Sequence, residues 1–137
     1  MALMTVLVLV DIAHRDSGEE VLRYAADTFP SADLHVAYVM PYGFYSYIEP
    51  FVSDDSQKAA NDRAKTELAA LIEASGADAV PHVLRGGIGE QALLETKAIG
   101  ADLIVLNAAR SGSALSTLGT HAAQIARHAE ASVLLHR

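Results

Sequence analysis

The hydrophobic positions of this chain alternate between short continuous runs and longer stretches with helical spacing. Five short runs are rich in aliphatic and β-branched residues, as is typical of strands that are buried on both faces. They cover residues 3–10, 32–40, 79–85, 101–107 and 132–136. Pro81 favours either a place for the third run near an edge of the sheet or a place for the proline among the first residues of its strand, because proline cannot donate a ladder hydrogen bond.

Four stretches between these runs predict helices. The first begins at Ser17 and Glu20, which have the spacing of a capping box, and Pro30 ends it. The second extends from about 54 to 75 and the third from about 90 to 99. The apolar positions of the last helix are Leu115, Leu118, Ala122, Ile125 and Ala126. Strands that alternate with helices predict an α/β domain with a parallel sheet between two helical layers, and 137 residues suit one domain spanning 1–137.

Composition excludes several classes of function. The chain has no cysteine, which excludes disulfides and thiolate chemistry. Its net charge is −7 and its ten Lys and Arg residues are scattered, so we expect no nucleic-acid partner. The apolar segment 1–10 lacks the basic and small-residue features of a signal peptide, and no run is long enough to cross a membrane. We therefore expect a cytoplasmic protein without a membrane partner.

Ligands of open parallel sheets bind beyond the carboxyl ends of the strands. Asp11 follows the first strand, and its carboxylate could accept hydrogen bonds from a ribose or base amine, or from nearby backbone amides. Gly86 begins a glycine-dense turn into a helix. Such a turn lets backbone approach an anion, but the lysine of a P-loop is absent, and a simple tight turn is the competing interpretation.

The segment 107–120 is a second candidate for phosphate binding. Asn107 tolerates left-handed backbone geometry, and Ser111 and Gly112 are small. Gly119 and Thr120 lie at the start of the last helix, where backbone N–H groups and a hydroxyl could meet phosphate oxygens. An ordinary loop with a capping hydroxyl is the alternative.

An aromatic segment lies between the second strand and the second helix. It contains Tyr42, Phe44, Tyr45, Tyr47 and Phe51. These side chains could cover a base, contact a partner or pack locally. His121 and His128 are seven residues apart, which is not the spacing of a helical metal pair, and no nucleophile–base pair is evident. We expect no metal site and no catalytic residue.

Several segments together resemble the single-domain universal stress proteins. They are VLVLVD (6–11), LHVAYVM (34–40), HVLRGGIGEQALLETKAIGADLIVL (82–106), RSGSALSTLGT (110–120) and IARHAEASVLL (125–135). The resemblance implies an open five-stranded parallel sheet in the order 3-2-1-4-5, the fold of the adenine nucleotide alpha hydrolases. It also implies homodimers that pair their last strands, here the edge formed by Ser132, Val133, Leu134, Leu135 and His136.

Members of this family that bind ATP carry Gly-x2-Gly-x9-Gly-Ser/Thr after the fourth strand. By position, Asp11 and Val39 would flank the adenosine. Gly119 and Thr120 fit the end of the motif, and Arg110-Ser111-Gly112 fit its middle. The first glycine is replaced by Asn107, and the second is missing, so the loop is one residue short.

These departures predict weak or no ATP binding. The first hypothesis is a homodimeric regulatory protein of the stress response that acts through protein partners. The second is a sensor of ATP or AMP, in which the nucleotide orders the aromatic segment. A slow ATPase is the third, and the absence of a Walker lysine makes an enzyme the least favoured of the three.

Overall fold

The computed structural model describes residues 4–40, 54–109 and 119–137. Within these ranges, five strands alternate with four α-helices, and one short 3-10 helix precedes the first of them. The elements are β1 (Thr5–Val10), the 3-10 helix (Ile12–His14), α1 (Arg15–Thr28), β2 (Asp33–Met40), α2 (Asp54–Ser75), β3 (Val80–Arg85), α3 (Ile88–Ile99), β4 (Leu103–Asn107), α4 (Thr120–His128) and β5 (Ser132–His136).

The five strands form one parallel sheet in the order β3-β2-β1-β4-β5. This confirms the predicted fold class and strand order, and β3, which contains Pro81, is an edge strand as the proline indicated. Val8 at the centre of the sheet is paired with Val36 of β2 and Val105 of β4. The order reverses at β1, so the crevice between the carboxyl ends of β1 and β4 is the switch point of the fold.

Alternate residues of β1 pack on opposite faces of the sheet, as the pleat of a strand requires. Val6 and Val8 join a core with α1 and α2, in which Leu22, Leu68 and Leu71 are fully buried. The opposite core contains Leu7 and Leu9 of β1, Ala37 and Val39 of β2, Ile104 and Leu106 of β4, Ala92 of α3, and Ala122 and Ile125 of α4. Helices therefore cover both faces, and the side chains packed in the two cores are apolar; the buried hydroxyls of Ser75 and Thr96 are bonded to backbone carbonyls of their own helices.

The first helix begins earlier than its capping-box pattern predicts. Asp11 caps the 3-10 helix through Oδ1, which accepts a hydrogen bond from the Ala13 amide at 2.9 Å. The chain continues directly into α1 at Arg15, so Ser17 and Glu20 lie inside the helix and the predicted capping box is wrong. An earlier cap supplied by Asp11 makes a second one at Ser17 unnecessary.

The fourth strand begins two residues later than predicted, at Leu103. Asp102 takes another role: its carboxylate accepts a hydrogen bond from the Thr5 amide at 2.9 Å, and its own amide donates to the Thr5 carbonyl at 2.8 Å. Gly100 precedes it with φ 65°, a left-handed conformation that ends α3 at low cost for glycine. Asp102 thereby fixes the amino ends of β1 and β4 to each other.

Candidate functional site

Several predicted ligand-binding residues lie at the carboxyl edge of the sheet. Asp11 directly follows β1, and Asn107 ends β4. The last paired residues of β1 and β4 are Val8 and Val105, so Asp11 and Asn107 follow this pair by three and two residues at the same edge of the sheet. The structure thus brings Asp11 and Asn107 together at the switch point, where a ligand of this fold would bind.

The carboxylate of Asp11 is half-exposed and partly engaged by its own chain. Its side chain is 52% accessible, one oxygen accepts the Ala13 amide, and the other lies 4.0 Å from Nε2 of His14. The Asp11 carboxylate therefore fits both predicted roles: one oxygen is bonded to a nearby backbone amide, and the half-exposed group retains an accessible oxygen for a ligand. It could still accept a hydrogen bond from a sugar hydroxyl.

Asn107 does not adopt the turn geometry that the sequence suggested for it. It is the last residue of β4 and is paired with His136 of β5. Among the described residues, positive φ angles occur only at glycines. The Asn107 side chain reaches across to α1, where Nδ2 donates to the Ser17 carbonyl at 3.2 Å. The residue at the first glycine position of the motif therefore connects β4 to α1.

The two described ends of the 107–120 segment are joined by a hydrogen bond. The Gly119 amide donates to the Ala108 carbonyl at 2.8 Å, and the Ala108 amide donates to the His136 carbonyl at 2.8 Å. Gly119 is the N-cap residue of α4, and Thr120 is its first residue, with an exposed side chain. The positive end of the α4 dipole consequently lies at the carboxyl edge of the sheet.

Gly86 supports the simpler interpretation of the glycine-dense turn. Its φ is 136°, its amide donates to the Met40 carbonyl at 3.0 Å, and a Cβ there would come within 3.1 Å of Gln91. These contacts explain the glycine by the turn between β3 and α3. Val39 is 3% exposed and lies in the core beneath α3 and α4, so it could offer a ligand only a small apolar edge.

Other predicted site residues fall outside the described residues. They are Arg110, Ser111 and Gly112 of the loop after β4, and Tyr42, Phe44, Tyr45, Tyr47 and Phe51 of the aromatic segment. Within the described ranges, no group of three histidine or acidic side chains is arranged to hold a metal ion. None of the helices in those ranges has the length and apolar character needed to cross a bilayer.

Tyr38 is not among the predicted site residues, but it lies near this edge and is paired with Val10. Burial raises the pKa of its phenol above the usual 10.0, and the carboxylates of Asp11 and Glu67 raise it further. Tyr38 is therefore a neutral hydroxyl close to the acid of the candidate site. Its position near Asp11 follows from the strand register. The sequence of β2 alone does not distinguish Tyr38 from the other seven residues of that strand.

The family assignment follows from the whole chain. A model of the universal stress protein family matches residues 3–137. The chain belongs to the universal stress protein family. This confirms the resemblance noted for the strand and loop segments.

Solved structures of universal stress proteins share the fold. UspA from Lactobacillus plantarum is 21% identical with a TM-score of 0.67, and the match covers 100% of both chains. The protein from Archaeoglobus fulgidus in complex with dAMP is 21% identical with a TM-score of 0.66, again over 100% of both chains. A family protein from Arabidopsis thaliana with AMP bound is 15% identical with a TM-score of 0.60, covering 96% of this chain and 90% of that one.

Proposed function

We propose that this universal stress protein is a homodimeric regulator that acts through protein partners in the cytoplasm and binds ATP weakly or not at all. Weak ATP binding is supported mainly by the position and hydrogen bond of the Asn107 side chain. A glycine at this position would leave the end of β4 open to a phosphate. Asparagine instead places a side chain there, and that side chain is bonded to the Ser17 carbonyl.

The amide of Gly119 supports the same conclusion. An N–H group at a helix start can bind an anion only when it is unpaired or can exchange its partner. The Gly119 amide already donates to the Ala108 carbonyl at 2.8 Å. A phosphate would have to displace this bond, which also joins the two ends of the loop.

The expected loss of affinity follows from the number of donors affected. A hydrogen bond to a charged group contributes roughly 1.5–3 kcal/mol. Two such bonds, one for each glycine of the motif that is missing here, correspond to roughly two to four decades in the dissociation constant. The start of α4, with the accessible Thr120 hydroxyl, remains as a weak anion site.

A nucleotide sensor is the second candidate. Proteins of the same fold carry dAMP in the Archaeoglobus fulgidus structure and AMP in the Arabidopsis thaliana structure. The accessible Asp11 oxygen could serve a ribose, and adenosine monophosphate needs fewer phosphate contacts than ATP. Under this hypothesis AMP would bind more tightly than ATP, and it would protect residues 41–53 from hydrogen exchange.

Calorimetric titration with ATP and with AMP, each with and without Mg²⁺, tests the proposal. The matched control is the double variant Gly119→Val, Thr120→Ala, which removes the helix-start contacts. We expect no saturable heat for ATP at micromolar protein. Saturable binding of ATP at micromolar concentration that is lost in the control would overturn the proposal, and tight binding of AMP alone would establish the sensor.

The proposed dimer uses β5, which is an edge strand of the sheet. The Ser132 amide donates to Asp102 and the His136 carbonyl accepts from Ala108, so residues 132 and 136 direct their backbone groups toward β4. Because the N–H and C=O of a residue in a parallel strand point to the same neighbour, Val133 and Leu135 direct theirs to the open edge. An open apolar edge of this kind favours pairing with a second copy.

Proline substitution at the edge tests this dimer. Val133→Pro removes an outward amide without removing a bond to β4, so we expect monomers that keep the native circular dichroism spectrum. Val133→Ala keeps the amide and should remain dimeric. Light scattering of the three proteins measures the mass. A wild-type monomer, or a Val133→Pro dimer, would contradict pairing through β5.

A further inference from the structure

Four titratable side chains form a continuous hydrogen-bonded chain at the amino end of β2 and β3. Nε2 of His35 lies 3.1 Å from Oδ2 of Asp33, and Nδ1 of His35 lies 2.8 Å from Nε2 of His82. Nδ1 of His82 lies 3.0 Å from Oε1 of Glu95 on α3. Both imidazoles are largely buried, with side chains 15% and 22% accessible. The chain lies at the opposite end of the sheet from Asp11 and Asn107.

The number of protons in this chain follows from its geometry. An ionised carboxylate only accepts hydrogen bonds, so Asp33 requires a proton on Nε2 of His35, and Glu95 requires one on Nδ1 of His82. A neutral imidazole carries a single proton. With both rings neutral, Nδ1 of His35 and Nε2 of His82 would face each other as two lone pairs at 2.8 Å. A third proton between them turns this repulsion into a hydrogen bond.

We propose that Asp33, His35, His82 and Glu95 form a proton-binding site that holds one proton between the two imidazoles in the folded protein. The site then carries one positive and two negative charges. A second added proton would place N–H groups on both facing nitrogens and break the same bond. The hydrogen bond between His35 and His82 therefore forms only when one proton lies between the two rings.

The surroundings indicate which ring carries the charge. Burial lowers the pKa of His82, and the adjacent His35 lowers it further, while Glu95 acts in the opposite direction. His82 is therefore the neutral ring and accepts through Nε2, and the imidazolium is assigned to His35. From β1, the residue paired with His35 is the apolar Leu7, so β1 adds no charge at this position.

A proton fits the space between the rings better than a metal ion does. Two nitrogens bound at about 2.05 Å to one tetrahedral zinc ion lie about 3.3 Å apart, whereas these nitrogens are 2.8 Å apart. The described residues also supply no third ligand that converges on the pair. Zinc would require the rings to separate, and it serves as the competing outcome of the test.

The shared proton links three elements of the fold. Glu95 belongs to α3, His82 to β3, and His35 to β2. Loss of the shared proton would break the bond between His35 and His82, and would leave the bond from Nδ1 of His82 to Glu95 in place. The other end of α3 begins directly after the Gly86 turn at the carboxyl edge. The proton site is thus joined through one helix to the end of the sheet where ligands of this fold bind.

Nitrogen-15 NMR of the histidine side chains tests the proposal on the wild-type dimer or monomer as purified. At pH 6.5 we expect two protonated ring nitrogens on His35, and one on His82 at Nδ1. We also expect a nitrogen–nitrogen coupling across the 2.8 Å hydrogen bond. Raising the pH should abolish the coupling and the second His35 proton together. His128→Gln, on an exposed residue of α4, is the matched control and should leave both signals unchanged.

Two variants keep the result interpretable. Glu95→Gln preserves size while removing a charge, and it should move the loss of the coupling to lower pH. His82→Gln should abolish the coupling, because the nitrogen that accepts from His35 is removed. Two neutral rings at pH 6.5 would overturn the proposal, and so would a spectrum that changes when EDTA is added, because that result would identify a metal site.

Discussion

The two ends of the sheet use polar side chains in different ways. At the carboxyl end, the polar groups are bonded to main-chain atoms: Asp11 to the Ala13 amide, Asn107 to the Ser17 carbonyl. At the amino end, His35 and His82 are bonded to each other and to carboxylates. The first arrangement ties polar side chains to the backbone around the crevice, and the second holds the proposed shared proton.

This difference shows where each end can respond to its surroundings. The Asn107 amide group that is bonded to the backbone must give up that bond to donate to a ligand, which reduces the net gain from binding. A network of titratable groups responds instead to pH, without any ligand. We therefore expect the carboxyl end to become responsive only after its glycines are restored, and the amino end to lose its response when one member is removed.

Restoring the glycine motif should produce the largest effect. Asn107→Gly combined with a glycine inserted after Ala109 recreates the family spacing up to Gly119 and Thr120. We expect ATP affinity to rise by roughly two decades or more, since two donor positions become available to phosphate. Calorimetry measures it, and the insertion without the Asn107 change is the control. An unchanged affinity would mean that the glycines are not what limits binding.

Removal of an acceptor from the amino end should cost stability. Glu95→Leu leaves the Nδ1–H of His82 without its partner in a largely buried place. An unsatisfied buried donor costs about 1–3 kcal/mol, and the partial accessibility of this pair favours the lower half of that range. Urea unfolding measures the change. A variant as stable as the wild type would indicate that the observed bond contributes nothing.

Acid should weaken the folded protein through His82. Burial lowers the pKa of this ring, so the unfolded chain binds a proton at the usual value near 6.5 while the folded one does not. The stability that His82 contributes is therefore present above about pH 6.5 and is lost as the pH falls through that value. The slope is at most about 1.4 kcal/mol per pH unit for one proton.

Urea unfolding at a series of pH values checks this prediction. His82→Gln should show a shallower acid slope than the wild type, although its stability at neutral pH is lower. His128→Gln should retain the wild-type slope. Identical slopes for the wild type and His82→Gln would show that His82 does not stay neutral in the folded protein.

The smallest effect is expected for Asp33→Asn. The Asp33 side chain is 50% accessible, so its interaction with His35 is screened by solvent. We expect a loss of less than about 0.5 kcal/mol in urea unfolding. A loss as large as that of Glu95→Leu would contradict this prediction. It would mean that the exposed Asp33 contributes as much to stability as the largely buried Glu95.

The fold was largely predictable because its signals are local. The run at residues 6–10 consists only of valine and leucine, as is typical of a strand between two helical layers. Pro81 marked an edge strand, and α2 and β5 begin and end where the pattern placed them. The start of α1 was missed because capping by Asp11 depends on the backbone conformation after β1.

The site was less predictable because its contacts join distant residues. Asn107 and Ser17 are 90 positions apart, and no local pattern indicates that one side chain reaches the other. His35 and His82 are 47 positions apart and meet only through the register that pairs His82 with Ala37. The sequence places one histidine in each of two predicted strands. The spacing between them along the chain does not indicate how β2 and β3 are aligned.

We expect that the carboxyl end of this sheet does not bind ATP tightly. A titration of the nitrogen-15 labelled wild-type protein with Mg-ATP, followed by amide chemical shifts, reports both the affinity and the place of binding. We predict small shifts at Thr120 and its neighbours that do not saturate below about 1 mM, which corresponds to a binding free energy weaker than about −4 kcal/mol. Saturation at micromolar ATP, with shifts at Asp11, Asn107 and Gly119, would contradict the claim.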